Sequence, residues 1–254
     1  MKKLFAIVYV HSAPGNYKRR QLIRETWGNP IYHICPIKIL FFIGLPKPKE
    51  DTQWFLKQES DTYKDIIQEN YYDDYHNLTY KAVGAMKWVS EYCSHARFII
   101  KTDDDIVVNI FLLFNYLDKQ MLTTNTIFCR VWSRMLVMRE GKWKVDVEDY
   151  PDELYPRYCS GSAFVMTSDL AQKLYNTSHY VPFFWVDDAY LTGFLPRKLT
   201  NVTHVSLQKY YHFQFSLFMT GSTAKKFMFI HSYIELFTRK LWRDIVKLEV
   251  GSIS

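Results

Sequence analysis

Short, nearly unbroken apolar runs recur along this chain, each leading into a stretch with helical spacing. That alternation restricts the fold more than any other feature. Residues 4–10 (LFAIVYV), 37–43 (IKILFFI) and 98–100 (FII) read as buried strands. Residues 19–27, 53–67, 77–92 and 110–117 carry apolar side chains at helical intervals, with Leu78, Ala82, Ala85, Met86 and Val89 on one face of the third. Further strands are expected at 127–131 and 135–138. Residues 161–168 (GSAFVMTS) read as a strand entering a helix capped by Ser168. Strands alternating with helices predict an α/β layer fold with a mainly parallel central sheet. No linker-like stretch interrupts it, so residues 1–254 are expected to form one domain.

Composition agrees with a well-filled core: 48% of the residues are hydrophobic, and only 9 Gly and 9 Pro punctuate them. A net charge of +6 suits an anionic small ligand. No block of five or six Lys or Arg marks a nucleic-acid arm, so no nucleic-acid partner is expected. Cys35, Cys93, Cys129 and Cys159 lack CxxC spacing, which argues against a zinc cage, and leave three disulfide pairings open. Sequons at Asn77, Asn176 and Asn201 point to a secretory lumen. The start, MKKLFAIVYVHSA, imitates a signal peptide. Its apolar run is far shorter than the roughly twenty residues that span a bilayer, and it reads as the first core strand.

The stretch RFIIKTDDDIVVN (97–109) sets three carboxylates between two apolar runs. Ligands of an open α/β sheet collect beyond the carboxyl ends of its strands, where Asp103, Asp104 and Asp105 would emerge. In extended backbone Asp103 and Asp105 point to one side and Asp104 to the other. Clustered carboxylates repel unless a cation sits among them, and all-oxygen ligation selects a hard ion such as Mg²⁺ or Mn²⁺ whose shell phosphate can complete. The plain alternative is an acidic turn with Asn109 capping a helix. The pattern recurs in VPFFWVDDAYLTG (181–193), where Asp187 and Asp188 follow an aromatic run. A carboxylate desolvated beside Phe184 and Trp185 has its pKa raised toward the range of a general base, although Asp caps on a helix N-terminus would look the same. Arg20, Arg24 and Trp27 share one helical face, either a solvated basic stripe or one that brings an arginine to a phosphate. Two reaction classes fit these residues: nucleotide-sugar transfer, and an aspartyl-nucleophile phosphatase of haloacid-dehalogenase type with Asp103 as nucleophile.

Six blocks in order, RRQLIRETWG (19–28), FFIG (41–44), DIIQENYYDDYHNLTYKAVGAMKW (65–88), KTDDDIVVN (101–109), YPRYCSGSAFVM (155–166) and VDDAYLTG (186–193), resemble the beta-1,3-galactosyltransferases of glycosyltransferase family 31. The resemblance implies a GT-A fold, a Rossmann-like α/β sandwich, and inverting transfer from a UDP-sugar with Mn²⁺ or Mg²⁺. Asp105 would ligate the ion with His231, while Asp103 and Asp104 would lie near ribose and uracil. Asp188 would be the base that deprotonates the acceptor's 3-hydroxyl. Arg24, or else Arg20, would face the diphosphate or uridine. Gly161 would allow close backbone approach to a sugar, Tyr155 and Tyr158 would offer stacking faces, and Trp143 and Trp185 an acceptor platform. The implied donor is UDP-galactose, with UDP-N-acetylglucosamine as the alternative. The implied acceptor is a glycan on glycoprotein or glycolipid in the Golgi lumen; a sugar-binding relative without turnover is the non-enzymatic alternative. Members carry an N-terminal anchor and stem that these residues do not contain, so membrane association is expected only through an anchor absent from this chain. Two positions depart from the family: Asp187-Asp188-Ala189 replaces the usual Glu-Asp-Val, and Val107 occupies a position often aromatic.

Overall fold

The computed structural model describes residues 4–48, 51–120, 123–214 and 219–250. In chain order its elements are β1 (Ala6–His11), α1 (Tyr17–Glu25), β2 (Ile37–Leu45), α2 (Thr52–Tyr63), β3 (Ile66–Tyr72), α3 (Leu78–Tyr92), β4 (Phe98–Asp103) and β5 (Ile106–Val108). There follow α4 (Ile110–Asp118), β6 (Thr126–Trp132), β7 (Tyr158–Thr167), α5 (Asp169–Ser178), the single turn α6 (Asp187–Ala189) and β8 (Thr203–Ser206). The last are β9 (Tyr211–His212), α7 (Gly221–Ala224), β10 (Phe229–His231) and α8 (Glu235–Val250).

Seven strands form the central sheet in the order β3-β2-β1-β4-β7-β6-β8. Only β7 runs against its neighbours; the other pairings are parallel, as the alternation of strands and helices requires. Successive strand residues supply opposite faces. Ala6, Val8 and Val10 of β1 pack with Ile23, Trp27, Leu113 and Trp242, whereas Ile7 and Tyr9 pack with Ala85, Met86 and Leu170. The sheet is therefore buried on both sides, which explains why its strands are so continuously apolar.

Strand order reverses around β1, with β2 on one side and β4 on the other, so the crevice that receives a ligand opens beyond the carboxyl ends of β1 and β4. His11 pairs with Asp103 at that edge. Because β7 is antiparallel, its beginning reaches the same edge: Thr102 is opposite Ala163, which sets Gly161 and Ser162 beside Asp103. A small sheet, β5-β10-β9, lies next to it, with Ile106 opposite His231 and the Ser232 N–H donating to the Asp105 carbonyl at 2.9 Å.

Three expectations need correction. Helix α2 ends at Tyr63, where Lys64 turns left-handed (φ 54°), and Ile66 and Ile67 start β3. Residues 135–138 make only a single bridge, between Leu136 and Leu154. Ser168 makes no side-chain cap bond to α5. One disulfide, Cys129–Cys159, joins β6 to β7, and Cys35 and Cys93 are free thiols. Among the described residues no helix is long and apolar enough to cross a membrane.

Candidate active site

The two acidic clusters meet. A cleft of about 370 Å³ is lined by Lys101, Asp103, Gly161, Asp187, Asp188 and His231, with Trp132, Trp143 and Phe213 among the aromatic residues of its wall.

The extended backbone expected across the triplet ends at Asp103: Asp104 and Asp105 form a turn, and both approach Arg19. Asp104 turns toward α1 and accepts hydrogen bonds from Ser12 Oγ (2.7 Å), Asn16 Nδ2 (2.8 Å) and Arg19 Nη1 (2.9 Å). Three donors account for its burial, and no oxygen of it lacks a partner. Asp103 faces the cleft and accepts from Lys101 Nζ at 2.6 Å. Its burial lifts the pKa to about 6 against the opposing pull of Lys101, with Asp105 and Asp187 adding to the rise. Asp105 stands 3.4 Å from His231 Nε2 and 3.7 Å from Arg19 Nη1. Burial opposes its ionisation, but His231, Arg19 and Lys101 outweigh that and hold it below the usual carboxyl range.

The arginine that meets the triplet is Arg19, not Arg20 or Arg24. Arg20 is 1% exposed and is saturated by both oxygens of Glu59, the hydroxyl of Ser12 and the carbonyls of Ala13 and Pro14. Arg24 pairs with Glu59 and Asp65 and lies over the rings of Phe41 and Tyr63. A buried arginine with two carboxylate partners stabilises the α1–α2 packing and has little left for a phosphate. Arg20 touches the site only through Ser12, which it holds against Asp104.

Asp188 lines the cleft with both carboxylate oxygens held by the backbone. One oxygen accepts from Gly161 N at 2.9 Å and the other from Ala189 N at 2.8 Å. Burial, then the neighbouring Asp187 charge, lift its pKa to about 7. Asp187 itself is raised by burial and lies 3.8 Å from His11 Nδ1. His11 is held far below its ordinary value by burial, Lys101 and Lys81, so its ring is neutral. Gly161 serves a different purpose from the one expected. A Cβ there would lie 3.0 Å from Asp188 Oδ2 and 3.1 Å from Asp188 Cβ, so the group approaching its bare backbone is Asp188.

A cation fits between Asp105 and His231. Asp105 Oδ1 is buried and receives no hydrogen bond, and His231 Nε2 faces it across 3.4 Å. Among the described residues no three His, Cys, Asp or Glu groups form a metal cage, so a hard ion here would need ligand oxygens to fill its shell.

Beside Asp188 the cleft continues into an apolar pocket of about 170 Å³ lined by Trp132, Met135, Trp143, Tyr155, Tyr158 and Val186 among others. Trp143 thus borders both spaces. Trp185 borders neither, packing on His76 and Tyr75 instead. Tyr155 and Tyr158 are buried and pack edge-to-face on each other, which leaves little open ring surface for stacking. Asn176 and Asn201 are exposed, whereas Asn77 is half-buried, donates to the Tyr72 carbonyl and has its sequon hydroxyl, Thr79, buried on the Phe184 carbonyl.

Sequence reasoning missed Lys101, Arg19, Ser12 and His11. Lys101 left a trace: a lysine inside an otherwise apolar strand is costly unless paired, and the carboxylate two residues on was the available partner.

The galactosyltransferase family model matches residues 18–208, and the chain belongs to that family. Beta-1,3-galactosyltransferase 2 of Homo sapiens is 35% identical over 198 residues, 75% of this chain and 46% of that protein. Lactosylceramide 1,3-N-acetyl-beta-D-glucosaminyltransferase B of Xenopus laevis is 34% identical over 221 residues, covering 83% and 57%. Beta-1,3-galactosyltransferase 1 of Mus musculus is 34% identical over 203 residues, covering 77% and 60%. The chain thus spans less than two thirds of each of these relatives. Among solved structures, the apo WbbM bifunctional glycosyltransferase superposes with a TM-score of 0.48 at 9% identity, over 99% of this chain and 52% of that one.

Proposed function

We propose that these residues form the catalytic domain of an inverting beta-1,3-hexosyltransferase of the Golgi lumen, taking galactose from UDP-galactose to a glycan on glycoprotein or glycolipid. The observation that carries the reading is the convergence of Asp188, at a pKa of about 7, with Asp103 and His231 around one cleft, Asp105 standing 3.4 Å from His231. UDP-N-acetylglucosamine is a second donor candidate, favoured by the Xenopus laevis relative, whose name specifies N-acetylglucosaminyl transfer.

In this reading Asp188, fixed by two backbone N–H groups, removes the proton from the acceptor hydroxyl as its oxygen attacks the anomeric carbon. One base suffices for inversion, since no covalent sugar intermediate forms. Asp105 and His231 would hold Mn²⁺ or Mg²⁺, which when bound neutralises charge on the departing diphosphate. Arg19 and Asp104 orient the α1 side of the donor space, and Lys101 keeps Asp103 ionised beside it.

The test is UDP release by purified protein with Mn²⁺ and a panel of UDP-sugars, with and without acceptors. Acceptor-dependent release from UDP-galactose is expected. Asp105→Ala should lose cation-dependent donor binding, whereas Asp188→Asn should bind donor without transferring. Phosphomonoester hydrolysis with no UDP-sugar turnover would overturn the reading, as would binding without turnover.

A further inference from the structure

Arg130, on β6, is clamped between two rings. Its Cζ lies 4.5 Å from the centre of Trp132 and 4.6 Å from that of Phe213. Both rings line the cleft that holds Asp103, Asp188 and His231. Other sheltered cations nearby meet carboxylates: Arg20 and Arg24 meet Glu59, Lys81 meets Asp73, and Lys101 meets Asp103. Arg130 meets none among the described residues, and its Nε is buried without a hydrogen-bond partner.

Ring faces attract a guanidinium and hold it in place, but they accept no directed N–H···O bond. With two rings against the guanidinium, the donors on its edge remain for a ligand, and that edge matches the paired oxygens of a carboxylate or a phosphate. Leaving such a group half-buried and unpaired is costly unless a ligand completes it. Its two clamping residues mark where the ligand is. Phe213 packs against the His231 ring with centres 6.2 Å apart, on the cation side of the cleft. Trp132 also lines the apolar pocket that adjoins Asp188.

We propose that Arg130, beside the cleft and against two rings of its wall, is an anion-binding residue held there for an oxyanion carried by a substrate. The inference rests on the glycosyltransferase reading and adds to it a specificity contact. The oxyanion has two possible sources, the diphosphate of the donor and an acidic substituent, carboxylate or sulfate, on the acceptor glycan.

The experiment compares wild type, Arg130→Met and Arg130→Lys, each with Mn²⁺. UDP is titrated calorimetrically, and neutral sugar acceptors are compared with carboxylated and sulfated counterparts. Loss of the charge should weaken one anion by roughly tenfold or more. Weaker UDP binding assigns the donor; an unchanged UDP affinity with lost preference for acidic acceptors assigns the acceptor. An Arg130→Met protein that melts like wild type and binds UDP and every acceptor within about twofold of it overturns the proposal. If Arg130→Met does not fold, Arg130→Gln replaces it, removing the charge on a polar side chain: unchanged anion affinity in a normally melting Arg130→Gln protein is equally fatal, whereas Arg130→Lys, which keeps the charge, should retain part of the affinity. A wild type that binds no UDP or UDP-sugar defeats the glycosyltransferase reading by itself. Arg130 is then tested by titrating inorganic pyrophosphate and sulfate into the same three proteins, and wild type and Arg130→Met binding both alike overturns the inference.

Discussion

Lys101 Nζ donates to Asp103 Oδ1 at 2.6 Å and also to the carbonyl of Gly161, whose own N–H holds Asp188. A single buried ammonium therefore ties the first acidic cluster to the backbone that positions the second. Lys101→Met removes the partner of Asp103, whose side chain is 37% exposed and can turn to water instead, so the loss should be about 1–2 kcal/mol. Urea denaturation at neutral pH should show that loss. The deficit should shrink as pH falls below about 6, the Asp103 pKa, because a protonated Asp103 needs no cation.

Asp188 predicts a pH profile. A base must be ionised to act, so turnover should rise through a pH of about 7 and then level off. Asp188→Asn should be flat and roughly a hundredfold to ten-thousandfold slower. Asp187→Asn should move the inflection to lower pH, since the Asp187 charge contributes to the rise. Stability runs the other way. A carboxyl group whose pKa is raised by folding favours the folded state fully below its unfolded value, and that contribution drains as pH climbs through about 7. The wild-type melting temperature should therefore fall as pH climbs through about 7, and that slope should be absent in Asp188→Asn.

Gly161→Ala tests the packing of the base directly. The new Cβ would press on Asp188 at 3.0–3.1 Å and displace its carboxylate. Turnover should fall with UDP affinity unchanged, a split that steady-state kinetics and titration together would reveal. A fall in UDP affinity instead would place the donor against Gly161.

The two neighbouring arginines of α1 should separate cleanly. Arg19 has a side chain 44% exposed and reaches Asp104 and Asp105, so Arg19→Ala should weaken UDP binding with little change in melting. Arg20→Ala removes a buried partner of Glu59 and should destabilise by about 3 kcal/mol or more. Thermal melts beside UDP titrations distinguish the pair.

The α/β alternation, and with it the place where ligands collect, was legible because β1, β2 and β4 are buried on both faces and advertise it in apolar runs. The half-exposed strand β3 and the short strands β8 and β9 carry no such run, and β10, though it ends the apolar run 227–230, is only three residues long; none of the four was expected. Asp103, Asp105 and Asp188 stood out as carboxylates beside buried sequence. His231 was placed by resemblance; its physical cause, the pairing of β10 with β5, links residues far apart in the chain. The arginines were misassigned because helical spacing groups Arg20 with Arg24 but cannot say which face meets Glu59. Arg19, one position away, turns the other way.

The Cys129–Cys159 bond closes the root of the excursion that runs out from β6 and back into β7. That excursion carries Met135, Met138, Trp143 and Tyr155, the wall next to Asp188. A segment stapled at its base can be rewritten along its length while the strands beneath keep their register. In the proposed transferase, that leaves the wall beside Asp188 open to change while the cleft floor built by β4 and β7 stays as it is.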